Sequence, residues 1–389
     1  MKAGLAGRHL EQRISSMAQR TKPPFRADIV GSFLRPAALK EARARFAAGE
    51  ISRDELDAAT AREIERLVPL EKACGLQAVT DGEFPRALWH LDFLESLEGV
   101  QKVSAEEWSV KFKGVAPKGA QLVFTGRIGF GNHPFLQQFR NIKRIAGDTL
   151  VKFTIPSPSM LHLIPCVRGS RSYQPIDRYK NEDALFDDIV AAYRDALLAF
   201  YREGCRYLQF DDTSWGEFCD AAKRADYEAR GIDLEHVERK YVETINRILE
   251  VKPADMTVTM HICRGNFRST WFSSGAYTPV AKILFAHARV DGFFLEYDTD
   301  RAGGFEPLAE IKDQIVVLGL ITSKFPELED PEAVKARIAE AAKYVPLEQL
   351  CLSPQCGFSS TEEGNVLTEE DQWRKLRLIK SIANDVWGE

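Results

Sequence analysis

The strongest constraint on the fold of this chain is a regular alternation of short apolar segments with amphipathic helical patterns. The apolar segments are rich in β-branched residues and have the length of buried strands. Eight such strands are predicted, at Ala27–Val30, Leu76–Thr80, Leu150–Ile155, Arg206–Phe210, Met256–Ile262, Gly292–Leu295, Ile315–Leu320 and Gln349–Leu352. Helical patterns lie between most of them, such as Glu182–Glu203, Leu234–Glu250 and Pro331–Ala342. Strand–helix alternation predicts an α/β fold with a parallel sheet, and eight strands of this kind predict a (β/α)8 TIM barrel.

One stretch departs from this alternation. Residues 102–148 have the pattern of a β-rich insertion after the second strand, with strands at Ser109–Phe112 and Gln121–Gly126. We therefore predict a single TIM-barrel domain over residues 21–389 that contains this insertion. Residues 1–20 are basic and lack the apolar core of a secretory signal, so we expect a disordered N-terminal extension there.

Composition excludes several kinds of partner. The chain has 52 Lys and Arg against 57 Asp and Glu, a net charge of −5, and no basic cluster, which argues against nucleic acid. No apolar run reaches the roughly 18 residues that a membrane span requires. The 7 cysteines are an odd number and widely spaced, which is unlike a disulfide framework. We expect a cytoplasmic protein with reduced thiols.

Polar or metal-binding residues follow every predicted strand. Active sites of such barrels form at the C-terminal ends of the strands. These ends read Gly31-Ser32, Thr80-Asp81-Gly82-Glu83, Ser157-Pro158-Ser159, Asp211-Asp212, His261-Ile262-Cys263, Glu296, Thr322-Ser323-Lys324 and Ser353-Pro354-Gln355-Cys356-Gly357. Helix caps can account for some of the Ser and Asp residues. They do not account for a His, two Cys and a Glu at the ends of strands five, six and eight.

The His and Cys residues indicate a metal site. Side chains alternate along a strand, so His261 and Cys263 point the same way. Taken alone, this pair is more typical of a core histidine and a buried cysteine than of a metal site. Together with Glu296 and Cys356, which come from separate strands, it predicts a site with nitrogen, sulfur and oxygen ligands for Zn²⁺.

The ligand set also indicates the chemistry. Two thiolates and one carboxylate carry more negative charge than Zn²⁺ neutralises, so such a metal activates water poorly. It suits the binding of a substrate thiol, which it deprotonates while the sulfur stays nucleophilic. The reaction class that follows is alkyl transfer to sulfur.

The strand-end motifs resemble those of one enzyme family, cobalamin-independent methionine synthase, in its C-terminal catalytic barrel and its stand-alone single-barrel paralogues. The residues that carry the resemblance are Ile29-Val30-Gly31-Ser32-Phe33, Thr80-Asp81-Gly82-Glu83, Leu208-Gln209-Phe210-Asp211-Asp212, His261-Ile262-Cys263, Phe294-Leu295-Glu296 and Ser353-Pro354-Gln355-Cys356-Gly357. The resemblance implies a zinc-dependent methyltransferase of methionine biosynthesis, with zinc held by His261, Cys263, Glu296 and Cys356. It also implies that Ser32, Glu83 and Asp211 bind the amino-acid part of homocysteine or a similar thiol.

Two departures from the family pattern concern the alkyl donor. Asp211-Asp212-Thr213 stands where the family has Asp-Glu-Pro. Thr322-Ser323-Lys324-Phe325 stands where the family has Asp-Ile-His-Ser, so Lys324 takes the place of a proton-transferring histidine. These departures leave the identity of the alkyl donor open: a methylated folate and a corrinoid are candidates, with Lys324 and Asp211 as candidate catalytic residues. Whether a partner protein delivers the donor, and the oligomeric state, stay open.

Two tryptophans are further candidates for the substrate pocket, and two alternative functions remain open. Trp89 and Trp215 follow the second and fourth strand ends and are candidates to line a substrate pocket, although barrel aromatics often serve only packing. One alternative function is a zinc-dependent thiol–epoxide transferase or lyase of the coenzyme M type. The other is a non-catalytic paralogue that binds a thiol without turnover.

Overall fold

Parallel strands form the wall of a barrel in the computed structural model, which describes residues 20–104 and 120–388. The strands are β1 (Ala78–Val79), β2 (Glu98–Ser104), β3 (Ala120–Gly129), β4 (Leu150–Pro156), β5 (Tyr207–Asp212), β6 (Thr257–Ile262), β7 (Gly292–Glu296), β8 (Ile315–Ile321) and β9 (Leu350–Pro354). Seven of them form one sheet in the order β1-β4-β5-β6-β7-β8-β9, and every neighbouring pair is parallel. The chain is therefore an α/β protein of the TIM-barrel type, as the strand–helix alternation predicts.

The eighth position of the wall is taken by an extended segment and not by a regular strand. Ala27 forms an isolated parallel bridge with Leu352 of β9, and the Asp28 amide donates to the Leu352 carbonyl over 3.0 Å. The predicted strand Ala27–Val30 is thus reduced to one bridge. Side chains from inside the barrel bind its carbonyl groups instead: Lys152 Nζ donates to Ile29, and Gln209 Nε2 donates to Val30 over 2.9 Å.

The helices pack around the outside of this wall. They are α1 (Ala37–Ala47), α2 (Arg53–Ala73), α3 (Leu91–Leu94), α4 (Phe135–Ala146), α5 (Pro158–His162), α6 (Glu182–Arg202), α7 (Ser214–Phe218), α8 (Ala221–Ala229), α9 (Leu234–Leu249), α10 (Thr278–His287), α11 (Pro331–Ala341) and α12 (Glu369–Trp387). Local sequence explains several starts: α2 and α12 begin with capping boxes, Ser52 with Glu55 and Thr368 with Asp371. None of the helices in the described ranges is both long and apolar enough to cross a membrane.

The insertion lies between β1 and β4, as predicted. Strands β2 and β3 pair in antiparallel fashion, and α4 follows them before the chain enters β4. The predicted strand Gln121–Gly126 falls within β3, whereas Ser109–Phe112 lies outside the described residues, as do residues 1–19. The antiparallel pair starts at Glu98, four residues before the predicted boundary of the insertion.

The barrel interior is polar at its floor and apolar above it. Tyr207 and Lys152 both contact Asp28, with the Tyr207 hydroxyl 2.9 Å and Lys152 Nζ 3.4 Å from its carboxylate. Val30, Phe294, Val317 and Cys351 form a small buried apolar cluster inside the barrel. These side chains fill part of the barrel interior below the C-terminal ends of the strands.

Candidate functional site

A cavity of about 480 Å³ opens at the C-terminal ends of the barrel strands. Its size suits a small ligand that is held by a few polar groups among apolar ones. Its lining residues include Ser32, Glu83, Trp89, Asp211, His261, Cys263 and Cys356. Most of the residues that were predicted from the strand ends therefore meet at one place, because parallel strands direct their C-terminal ends to the same face.

Four potential metal ligands converge at the base of this cavity. One nitrogen of His261, the sulfur atoms of Cys263 and Cys356 and one carboxylate oxygen of Glu296 all lie within 4.8 Å of one another, and all four residues are buried. His261 is paired in register with Asp211 of β5, and Cys263 follows the last residue of β6. Glu296 ends β7, and Cys356 lies two residues beyond β9. The four side chains thus come from the ends of three strands of the barrel wall, β6, β7 and β9.

The polar atoms of this cluster fit a bound zinc ion. Both ring nitrogens of His261 are buried and have no hydrogen-bond partner within the described residues. Such an arrangement is costly unless a further group satisfies the ring. One imidazole, two sulfurs and one carboxylate are ligand types that Zn²⁺ accepts at tetrahedral spacing. The donor set therefore meets the chemical requirement of the predicted site.

The sulfur atoms of the two cysteines are within hydrogen-bonding distance of each other. Cys263 Sγ and Cys356 Sγ are 3.7 Å apart. The hydrogen bond between them holds the pKa of Cys356 well below its usual range and raises the pKa of Cys263 well above it, with burial adding to the rise. The Gly265 amide donates to Cys263 Sγ over 3.3 Å. This contact therefore favours the thiolate form of Cys356, and a thiolate is the form that coordinates metal.

Two buried carboxylates face the same cavity on the side of β1 and β5. Thr154 Oγ1 donates to Glu83 Oε1 over 3.0 Å, and Arg86 Nη1 is 3.6 Å from the same oxygen, but Glu83 Oε2 has no hydrogen-bond partner. Gln209 Nε2 donates to Asp211 Oδ1 over 2.7 Å. Burial raises the pKa of Asp211 to about 7, with His261 opposing the rise and Glu83 adding to it. Burial also raises the pKa of Glu83, against the effect of Arg86.

The backbone at Glu83 is strained in a way that directs its side chain. Its φ angle is +58°, a left-handed conformation that is uncommon for residues with a Cβ atom. Such strain is retained where the surrounding structure enforces it, and it occurs frequently at ligand sites. The Asp81 carboxylate accepts the Glu83 amide over 2.8 Å and holds this turn.

Ser32 approaches the turn that carries Cys356. The Ser359 amide donates to Ser32 Oγ over 3.3 Å, and the Phe358 amide donates to the Ser32 carbonyl over 2.9 Å. A Cβ atom on Gly357 would lie 1.9 Å from Ser32 Oγ, so only glycine fits there. Ser32 and the metal-ligand turn are therefore held together by direct contact.

The two predicted tryptophans have different positions. Trp89 lines the cavity and lies against His90, with ring centroids 4.5 Å apart. Trp215 does not reach the cavity: it is fully buried and packs edge-on against Phe218 and Tyr241. It belongs to α7, whose turn lies so close to β6 that a Cβ on Gly216 would be 2.2 Å from the Cys263 carbonyl. This tight packing directs Trp215 into the core.

Lys324 is also absent from the cavity lining. Its side chain is buried, and Nζ donates to Asn266 Oδ1 over 3.2 Å. Asn266 does line the cavity, and its Nδ2 donates to the Gly357 carbonyl over 2.6 Å. The hydrogen bond between the two thiols and their burial have the larger effects on the pKa values of Cys263 and Cys356. The positive charge of Lys324 has a smaller effect and lowers the pKa of both. Lys324 therefore acts on the sulfur cluster at a distance.

Two residues near the proposed metal ligands, Asn266 and Arg301, are not among those predicted from the sequence. Asn266 and Arg301 lie in loops that follow the ligand-bearing strands, three residues after Cys263 and five after Glu296. Arg301 contacts Glu296, as described below. The sequence shows only that a charged or amide residue follows a predicted metal ligand within five positions. Such residues are frequent in loops, so their presence alone does not predict a role in the site.

Comparison with known proteins shows which family has these features. Residues 25–375 match the family model described as the cobalamin-independent synthase catalytic domain. The uncharacterized protein YxjG of Bacillus subtilis (strain 168) is 50% identical over 372 residues, which cover 95% of this chain and 96% of that protein. The 5-methyltetrahydropteroyltriglutamate–homocysteine methyltransferase of Mycolicibacterium paratuberculosis is 24% identical, over 92% of this chain and 43% of its own length.

A solved structure agrees with this assignment. The crystal structure of a Listeria monocytogenes protein, provisionally named a vitamin-B12-independent methionine synthase, is 42% identical with a TM-score of 0.74. It covers 95% of this chain and 100% of its own chain. The family match over residues 25–375 includes every strand end that forms the cavity, and together with these relatives it supports a methyltransferase function. The chain belongs to the family of cobalamin-independent synthase catalytic domains, which are methionine-synthase-like.

Proposed function

We propose that this protein is a zinc-dependent S-methyltransferase or S-alkyltransferase that uses a homocysteine-like thiol as the acceptor. The observation that carries the proposal is the convergence of His261, Cys263, Glu296 and Cys356 within 4.8 Å. A structural zinc site would use closely spaced ligands within one small module. Here the ligands come from the ends of three strands, and three of them, His261, Cys263 and Cys356, line a cavity that a small substrate can enter.

Zinc bound by these four residues would lower the pKa of a substrate thiol and leave its sulfur nucleophilic. Two thiolates, one carboxylate and Zn²⁺ together carry one net negative charge. The buried ammonium of Lys324 offsets this charge and thereby favours the thiolate form of both cysteines. In this role Lys324 does not touch either substrate.

Glu83 and Asp211 are suited to hold the α-ammonium group of an amino-acid thiol. Burial raises the pKa of both carboxyl groups and thereby favours a proton on one of them. An ammonium group supplies the same positive charge and also donates hydrogen bonds, so it can replace that proton. Ser32, which is in contact with the Cys356 turn, would orient the other end of the amino-acid group.

The alkyl group would be transferred in one displacement. The acceptor sulfur forms a bond to the methyl carbon, and the bond between that carbon and the donor breaks, leaving the electron pair on the donor atom, which takes up a proton in place of the one that the acceptor thiol lost. Holding both reactants in line in one cavity supplies much of the acceleration. A methylated folate is the donor that the name of the Mycolicibacterium relative suggests. Trp89 and Phe267 provide apolar surface for a flat donor at the cavity wall.

The test is the zinc content of the purified protein, followed by X-ray absorption at the zinc edge with and without homocysteine. We expect one zinc per chain with two sulfur ligands, and a third sulfur ligand when homocysteine is added. A protein that binds no zinc, or zinc whose coordination ignores the thiol, would refute the proposal.

Two cysteine variants separate the metal site from the general effect of losing a thiol. Cys356→Ser removes a proposed ligand and should abolish both zinc binding and methylation of homocysteine. Cys166→Ser is the matched control, because Cys166 is only half-buried and lies outside the cavity that holds the cluster. It should retain zinc and activity.

A further inference from the structure

One buried guanidinium is shared by the proposed metal ligand Glu296 and a second carboxylate. Arg301 Nη2 lies 2.8 Å from Glu296 Oε2 and also 2.8 Å from Asp298 Oδ1. All three residues belong to the end of β7 and the loop that follows it. Glu296 and Asp298 alternate along the chain, and Arg301 folds back onto both of them.

This triad is shielded from water. The Glu296 side chain has 0% exposed surface, that of Asp298 1% and that of Arg301 6%. The guanidinium also lies over the Trp271 ring, 5.1 Å from its centroid. A charge in such surroundings is costly unless it is paired, and Arg301 provides a positive partner for both carboxylates.

The other half of Glu296 is held by the backbone. The Arg264 amide donates to Glu296 Oε1 over 2.9 Å, and the Glu296 amide donates to the Tyr277 hydroxyl over 3.0 Å. Each carboxylate oxygen therefore has one donor, and each retains a lone pair. The rotation of the carboxylate is restricted, so that one oxygen stays near the two cysteine sulfurs and His261.

We infer that Arg301 is a positioning residue that keeps the Glu296 carboxylate aimed at the metal position, with Asp298 holding Arg301 in place. The inference rests on the proposed function, because it assigns a metal to that position. Residues that hydrogen-bond to a metal-ligating side chain set its orientation and its strength as a donor. Their loss typically lowers metal affinity about 10–100-fold. Arginine suits this role because its rigid planar group can bind two carboxylates at once.

The same contacts also stabilise the fold, so the test must separate the two effects. A purely structural role would lower the melting temperature of every metal-free variant and leave the zinc affinity of the folded fraction unchanged. A positioning role predicts a change in zinc affinity that depends on which end of the triad is altered. Zinc affinity, measured by competition with a chelator on folded protein, is therefore the deciding quantity.

Three variants grade the effect. Arg301→Met removes both ion pairs and should weaken zinc binding about 10–100-fold. Arg301→Lys keeps the charge but loses the planar guanidinium, whose Nη1 also donates to Thr299 Oγ1 over 2.6 Å and fixes its orientation, so its affinity should lie between those of the wild type and Arg301→Met. Asp298→Asn leaves the Glu296 contact intact and should have the smallest effect. Arg224→Met is the matched control, since it removes the half-buried Arg224–Glu238 pair (N–O distance 2.7 Å) outside the site and should leave zinc affinity unchanged.

The outcomes distinguish this inference from the proposed function. If the wild type binds zinc and Arg301→Met and Arg301→Lys bind it equally well, the inference is wrong and the proposed function is unaffected. If the wild type binds no zinc, the proposed function fails first. If Arg301→Met does not fold, zinc affinities that decrease in the order wild type, Asp298→Asn, Arg301→Lys still support the inference, and equal affinities contradict it. X-ray absorption at the zinc edge of Arg301→Lys should also show a weakened oxygen ligand.

Discussion

Cys263 and Cys356 are 93 residues apart in the chain, and their sulfur atoms are 3.7 Å apart in the folded protein. One follows β6 and the other follows β9, so two other strands of the wall, β7 and β8, separate the strands that carry them. Their hydrogen bond lowers the pKa of Cys356 and raises that of Cys263. A thiolate in direct contact with a thiol has chemical consequences when no metal is present.

Removal of the metal should make this pair sensitive to oxidation. A mild thiol oxidant is expected to convert the metal-free protein to a Cys263–Cys356 disulfide, because the thiolate of Cys356 is adjacent to its partner sulfur. Zinc added first should protect the pair. Peptide mass spectrometry would detect the linked peptides and the loss of two hydrogen atoms.

Cys263→Ser is the control for this experiment, since it retains Cys356 and removes its partner. Oxidation of that variant should give no internal disulfide. A wild-type protein in which the two peptides stay unlinked without metal, under conditions that oxidise free glutathione, would contradict the geometry on which the proposed site depends.

The pair of buried carboxylates should control recognition of the amino-acid thiol. Glu83→Gln and Asp211→Asn each remove one negative charge from the position proposed for the ammonium group. Loss of a buried, charge-assisted contact of this kind costs about 2–5 kcal/mol, so homocysteine affinity should fall at least about 30-fold. Isothermal titration of zinc-loaded variants would measure it. A simple thiol without an amino group, such as 2-mercaptoethanol, should bind wild type and variants alike.

Asp211 should also give the metal-free protein a characteristic dependence of stability on pH. Its pKa is about 7 in the folded protein and near 4 in an unfolded chain. Between about pH 4 and 7 the folded protein therefore holds a proton that the unfolded chain has released, so the free energy of unfolding decreases as the pH rises through this window.

Asp211→Asn should remove this contribution to the pH dependence of the free energy of unfolding, because asparagine does not titrate. Urea unfolding of both metal-free proteins at about pH 5 and pH 7.5 would measure it: the variant should gain stability relative to wild type at the higher pH. A difference between the two proteins that is the same at both pH values would show that the folded-state pKa of Asp211 is not raised.

Much of this architecture follows from sequence because parallel barrel strands leave strong local patterns. Seven of the eight predicted wall strands are present with boundaries within two residues, for example Tyr207–Asp212 against the predicted Arg206–Phe210. The exception, Ala27–Val30, has strand-like residues, but its carbonyl groups are bound by Lys152 and Gln209. Those contacts join residues more than 100 positions apart, and no local pattern reveals them.

The positions of some residues of the candidate site could also be predicted from the sequence, whereas those of others could not. Residues at strand ends, such as His261 and Glu296, could be predicted to converge because the fold places all strand ends on one face. Side-chain direction within the following loops could not be predicted. Trp215 turns into the core, and Lys324 turns toward Asn266, because of helix packing and a long-range hydrogen bond.

Gly357 should be sensitive to the smallest possible substitution. The Cβ of Gly357→Ala would lie 1.9 Å from Ser32 Oγ, so either Ser32 or the Cys356 turn must move. Such overpacking costs about 1–3 kcal/mol of folding free energy, and zinc affinity should fall with it because Cys356 is displaced. Gly126→Ala is the matched control, since its added Cβ would be 3.9 Å from the nearest atom, Gly99 Cα. Equal zinc affinities of the two variants would rule out a coupling of Ser32 to the metal-ligand turn.

The two tryptophans should respond to truncation in opposite ways. Trp89 lines the cavity and is half-buried, so Trp89→Ala should raise the KM for the alkyl donor with little change in the free energy of unfolding. Trp215 has no exposed surface, so Trp215→Ala should cost about 3–5 kcal/mol of folding free energy through the cavity that it leaves. Urea unfolding and steady-state kinetics on both variants would separate these effects, with kinetics taken where each protein is folded. A raised KM for folded Trp215→Ala with an unchanged one for Trp89→Ala would reverse the assignment, because it would place the donor near α7 and away from the cavity wall.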